Sequence, residues 1–116
     1  MTVDMTTPLQ VIESQFAAYN ERDLTAFMAH FADDIKVYRM PALTAAIEGK
    51  AALADFYASE RFNRPALRAE LINRIVNGSR VFDHERIWGV ADTPLEVVAV
   101  FEVRDGRIHN MWSFPA

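Results

Sequence analysis

Apolar residues recur at helical spacing in three early stretches and alternate as strands through the rest of the chain. In the first stretch Leu9, Ile12, Phe16 and Tyr19 share one helix face. Thr7 can cap that helix, Pro8 fits its first turn, and Gln10 completes a capping box. Asn20 to Arg22 break the pattern, and Asp23 can cap a second helix burying Leu24, Phe27, Met28 and Phe31. Asp33 and Asp34 read as turn residues that end it. Ile35 to Met40 alternates as a strand limited by Pro41, and Thr44 to Glu48 is a short extended piece reaching Gly49. A third helix is expected from Lys50 to Phe62, burying Leu53, Phe56 and Tyr57 and closed by Asn63 and Pro65. Four strands follow: Leu67 to Val76, Val81 to Gly89, Leu95 to Arg104 and Arg107 to Phe114. Asn77-Gly78 and Asp105-Gly106 supply turns, the latter a strong two-residue hairpin signal. Hairpin-linked strands leave no room for intervening helices, so the helices should cover one face of a mainly antiparallel sheet, an α+β fold.

Strand alternation then predicts what faces inward. With Arg104 opposite Arg107, Phe101 should face Asn110 and Ala99 should face Trp112. Val97, Ala99, Phe101 and Val103 would share the helix-covered face with Ile108, Asn110, Trp112 and Phe114. The preceding strand is expected to add Phe82, His84, Arg86 and Trp88, leaving Asp83 and Glu85 outside. The first strand adds Ile35, Val37 and Arg39. Ala99, small between Arg86 and Trp112, would leave a pocket. On the opposite face Val98 and Val100 lie between Glu96 and Glu102, so a second subunit is expected to cover it, forming a homodimer.

Composition narrows the functional classes. The 116 residues suit one domain over 1–116, with 1–6 expected as a flexible tail. A hydrophobic fraction of 51% can fill one core, and a net charge of −4 argues against a nucleic-acid partner. The chain has no cysteine, which removes thiolate chemistry, and its three histidines (His30, His84, His109) match no metal-binding spacing. Neither a metal nor a cofactor is expected. The first eight residues carry no signal-peptide pattern, and the longest apolar run, Val97 to Phe101, is too short for a bilayer, so no membrane partner and a cytoplasmic location are expected.

The stretch Phe16-Ala-Ala-Tyr-Asn-Glu-Arg-Asp-Leu through Phe31-Ala-Asp-Asp resembles the NTF2-like superfamily, also called SnoaL-like or ketosteroid-isomerase-like. So do Gly49-Lys-Ala-Ala-Leu-Ala-Asp-Phe-Tyr and Val100-Phe-Glu-Val-Arg-Asp-Gly-Arg-Ile with Trp112. The resemblance implies a cone-shaped, cystatin-like α+β fold with a pocket between helices and sheet. It also allows two mechanisms to be tested. Ketosteroid isomerases use a carboxylate base, a tyrosine and a protonated aspartate; the corresponding positions here are Arg39, Gln15 and Ala99. The last strands are similar to limonene-epoxide-hydrolase-like proteins, whose Asp-Arg-Asp set activates water. Glu85-Arg86-Ile87-Trp88 keeps the arginine but has Trp88 at one aspartate, and Met111-Trp112-Ser113-Phe114 has Phe114 at the other. Val37 and Arg39 stand at the water-holding positions beside a matching Met40-Pro41. The carboxylates of both mechanisms are therefore absent from the matching positions.

The expected interior polar set is Arg39, His84, Arg86 and Asn110 around Ala99, with Gln15, Tyr19, Tyr57, Trp88 and Trp112 as further lining residues. Arg86, with Arg39, would anchor a carboxylate or enolate; the plainer reading pairs it with an internal acid or stacks it on Trp112. His84 is a candidate base, against a simple hydrogen-bonded histidine near the sheet edge. Tyr19 and Tyr57 would donate hydrogen bonds or simply pack, and His30 is expected in solvent. The function expected is binding of a small lipophilic molecule, with an anionic one as an option and isomerase, cyclase or hydrolase chemistry as candidates. The alternative is a non-catalytic binding or dimeric assembly module whose pocket is filled by Trp88, Trp112 and Phe114.

Overall fold

The computed structural model describes residues 7–116, so the expected tail lies outside the described residues. Helix α1 spans Pro8–Asn20 and opens with the capping box: Gln10 N donates to Thr7 Oγ1 at 3.2 Å while Thr7 N donates to Gln10 Oε1 at 2.8 Å. Helix α2 spans Leu24–Met28, and Asp23 Oδ1 accepts from Ala26 N at 3.1 Å. Strands β1 (Phe31–Arg39) and β2 (Ile47–Glu48) precede α3 (Lys50–Glu60). Strands β3 (Arg68–Asn77), β4 (Arg80–Trp88), β5 (Leu95–Arg104) and β6 (Arg107–Pro115) complete one sheet in the order β2-β1-β6-β5-β4-β3. Every pair is antiparallel except β1 with β6, which closes the sheet in parallel. The helices cover one sheet face, and Val11, Ile12, Phe27, Phe31, Leu53, Phe101 and Ile108 form the center of the core. Among the described residues no helix is long and apolar enough to cross a membrane.

Two local devices fasten the chain around the start of β3. Asn20 behaves as a strand partner at the sheet edge, its amide donating to Ala69 O at 3.0 Å and accepting from Ala69 N at 2.7 Å. Gly89, after β4, takes φ +89°, and a Cβ there would stand 2.3 Å from Ala66 O, so only glycine lets the two backbones approach.

The sheet corrects several expectations. Helix α2 ends at Met28 and Phe31 begins β1, because Ile108 N donates to His30 O at 2.8 Å and starts the parallel ladder there. Asp33 and Asp34 are exposed strand residues beside a register shift, not a turn. His30 is half-buried and not solvated, and burial, then Arg107, holds its pKa below the ordinary value.

The larger correction concerns faces. The Asp105-Gly106 turn does place Arg104 opposite Arg107, with Asp105 at φ 53° and Gly106 at φ 74°. A bulge then intervenes between Glu102 and Val103 on β5, where His109 is the unpaired residue of β6. Beyond it Phe101 faces Met111 and Ala99 faces Ser113. Asn110, Trp112 and Phe114 therefore stand on the outer face, not inside. On β4 the phase is inverted as well: Val81, Asp83, Glu85 and Ile87 pair with Phe101, Ala99, Val97 and Leu95. Phe82, His84, Arg86 and Trp88 thus lie outside, while Asp83 is 0% and Glu85 8% exposed. The physical reason is a compensated charge. The β3–β4 turn sets Arg74 opposite Asp83, and the guanidinium makes two short bonds of 2.6 and 2.8 Å to that carboxylate. With the acid paired, β4 can turn this phase inward and leave His84 and Arg86 to solvent.

Candidate functional site

The concave sheet face and the helices enclose a cavity of about 550 Å³, a volume suited to a small molecule. Helix α1 contributes Gln15, Phe16 and Tyr19, and α3 contributes Leu53, Phe56 and Tyr57. The sheet adds Val37, Arg39, Ala69, Glu85, Ile87, Ala99, Phe101, Met111 and Ser113. The small side chains of Ala99 and Ser113 face each other across β5 and β6, which keeps that stretch of floor low.

Glu85 is the dominant chemical feature. Its carboxyl lines the cavity at 8% exposure, on the same strand face as Asp83. Burial first, then the Asp83 carboxylate, pushes its pKa up to about 8, with Arg74 opposing. Glu85 is thus a neutral acid at neutral pH, and Asp83–Arg74 is an ion pair behind it. Burial pushes the Tyr57 hydroxyl up to about 12, and raises Tyr19 too, with Tyr57 adding to the effect. Both tyrosines remain donors. Gln15, 6% exposed, also lines this space, and its amide oxygen is buried with no hydrogen-bond partner among the described residues.

At the mouth Arg39 and Arg61 both stack on Phe56, their guanidinium carbons 4.9 and 5.2 Å from the ring center. Arg61 lines the cavity, and its charge opposes the rise that burial causes in both tyrosines.

Of the residues expected to line the pocket, Gln15, Tyr19, Arg39, Tyr57 and Ala99 do so. His84, Arg86, Trp88, Asn110 and Trp112 lie on the other face, for the register reasons above. His84 Nε2 is 3.0 Å from Glu96 Oε2, Arg86 bridges Glu96 and Glu70, and Trp88 donates to Glu70 at 3.1 Å. Asn110 donates to Glu102 at 2.8 Å, and Trp112 stacks on Tyr38. Trp88, Trp112 and Phe114 therefore do not fill the cavity from inside. The residues not anticipated are Glu85, Asp83, Arg74, Phe56 and Arg61. One signal was available: with Asn77 opposite Arg80 across the turn, Arg74 must face Asp83, a cross-strand pair of opposite charge. Among the described residues no cluster of three metal-capable side chains occurs.

Comparison with known proteins places the chain. The family model of the SnoaL-like domain matches residues 12–111. A search of curated proteins by sequence finds no match. Among solved structures, an NTF2-like protein of unknown function from Cytophaga hutchinsonii superposes with TM-score 0.83 at 10% identity, covering 99% of this chain and 95% of that one. A SnoaL-like protein of unknown function from Burkholderia thailandensis gives 0.79 at 19% identity, covering 100% and 99%. An LEH-like epoxide hydrolase from M. tuberculosis gives 0.76 at 18% identity, covering 94% and 82%. At these identities the likeness is one of fold.

Proposed function

The chain belongs to the SnoaL-like domain family, and from that premise we propose that it binds a small lipophilic molecule in its cone and transfers a proton to or from it through Glu85. The observation that carries this reading is a nearly buried carboxyl in the wall of a largely apolar cavity of about 550 Å³. Such a group is a general acid while protonated and a general base once ionised, and a pKa near operating pH suits both roles. Asp83 holds the proton on Glu85, and Arg74 limits the accumulated negative charge when it leaves. Tyr57 and Tyr19 would donate to an oxygen that becomes more negative during the transfer. Isomerase, cyclase and hydrolase reactions all need such a step, and the epoxide hydrolase among the similar folds is one instance. His84 and Arg86 have no part in this scheme.

A neutral, enolisable ketone such as 2-decanone is the simplest probe. It should raise the melting temperature, and its α-protons should exchange with deuterated solvent at least about a hundredfold faster with the wild type than with Glu85→Gln. Equal exchange rates in the two proteins would remove Glu85 from the chemistry, and no melting shift with neutral lipophiles would remove the ligand.

The outer sheet face supports a homodimer as the partner arrangement. Ile75, Phe82, Val100, Trp112 and Tyr38 form one apolar row across five strands, and Phe114 beside it is 43% exposed. Sedimentation at high micromolar concentration should yield twice the chain mass, and Phe114→Arg should shift it toward monomer. A wild-type monomer would refute the arrangement.

A further inference from the structure

We propose that Arg39 and Arg61 form an anion clamp at the cavity mouth, so that the ligand is an amphipathic carboxylic acid with its apolar body inside. This rests on the cavity being a ligand site, as proposed above, and adds the identity of the ligand's outer end. Arg39 closes β1 and Arg61 follows α3, and both stack on the single ring of Phe56. Two guanidiniums gathered at one ring repel each other unless a negative charge lies nearby. No ion pair among the described residues includes Arg39 or Arg61. Arg61 donates to the neighbouring Glu60 carbonyl at 3.1 Å and lies against the Tyr19 hydroxyl, and its fork of five N–H donors exceeds these two partners. The acid that also reaches the rim, Glu96, is engaged by His84 and Arg86 on the outer face.

Guanidinium groups bind carboxylates through paired donors, and contact with Phe56 holds both guanidinium carbons within 4.9 and 5.2 Å of one ring center before a ligand arrives. A carboxylate at the mouth would point its chain past Phe56 toward Tyr57 and Glu85. A buried anion would meet the unfavourable field of Asp83, so the charged end belongs at the mouth and the neutral end near Glu85.

The test compares decanoate, decanol and decylammonium by calorimetry at neutral pH, using wild type, Arg39→Gln/Arg61→Gln and Glu85→Gln. Decanoate should bind the wild type at least about tenfold more tightly than decanol, with decylammonium weakest, and added salt should reduce the preference. The double arginine variant should keep its affinity for decanol, which also reports an intact fold, and lose the preference for decanoate. Glu85→Gln should retain the preference. Equal binding of decanoate and decanol to the wild type, or a preference that survives in the double variant, overturns the clamp and leaves the proton-transfer reading standing. If no probe binds, the cavity reading falls and the clamp falls with it.

Discussion

Arg74→Met should destabilise the fold by about 3–5 kcal/mol, measured as a fall in the urea midpoint at neutral pH. The substitution keeps an unbranched apolar stem but removes the charge and the guanidinium, whose carbon stands 5.8 Å from the Phe16 ring center. Asp83, at 0% exposure, would lose both of its short bonds and remain beside Glu85 with no cation to offset it. A buried carboxylate stripped of its partner costs far more than the pair contributes, because the desolvation is no longer compensated. Arg74→Met/Asp83→Leu should therefore recover most of the loss, since it removes both charges. A single variant within about 0.5 kcal/mol of wild type would mean that the pair is not what orients β4.

Stability should also fall as pH rises from about 4.5 to about 8, the interval between the ordinary carboxyl pKa and that of Glu85 in the fold. The sign follows from proton uptake. In that interval the native protein holds a proton that the unfolded chain has released, so raising pH favors unfolding. The stabilisation is complete below the unfolded value and is lost as pH passes the folded one. A shift of this size corresponds to on the order of 5 kcal/mol. His30 works in the opposite sense, because its lowered pKa makes acid destabilising. The clean measurement is thus the difference between wild type and Glu85→Gln, which should grow in favor of the variant toward pH 8. Parallel pH profiles for the two proteins would show that Glu85 is not a buried neutral acid.

The same carboxyl links stability to function. A carboxyl whose pKa burial raises toward neutrality populates both protonation states there, and the surrounding core holds it in place against the cost of ionisation. Glu85 can keep its neutral form because it is 8% exposed within the cavity wall and Asp83 faces the same way. The clamp proposed at the mouth would set which molecules reach it.

The capping box of Thr7 and Gln10, the stripe of Ile12 and Tyr19, the Asp105-Gly106 turn and the element order are all local, and the amino-acid order alone determined them. So did the placement of Tyr19, Arg39, Tyr57 and Ala99 on the cavity-lining elements, from helix periodicity and strand alternation, while Gln15 followed from the family resemblance. The inward faces of β4 and β6 were decided only in three dimensions. Along β4, Val81 and Ile87 stand in one phase with two acids, while Phe82 and Trp88 stand in the other with His84 and Arg86. Alternation therefore favors neither phase, and aromatic content points to the wrong one. Arg74, reaching across from β3, makes the acidic phase the buried one. On β6 one bulged residue, His109, reads like any other strand residue yet moves Asn110 and Trp112 to the outer face. A period of two makes a sheet face sensitive to one inserted residue or one distant ion pair, and those two contacts determined which acid the cavity holds.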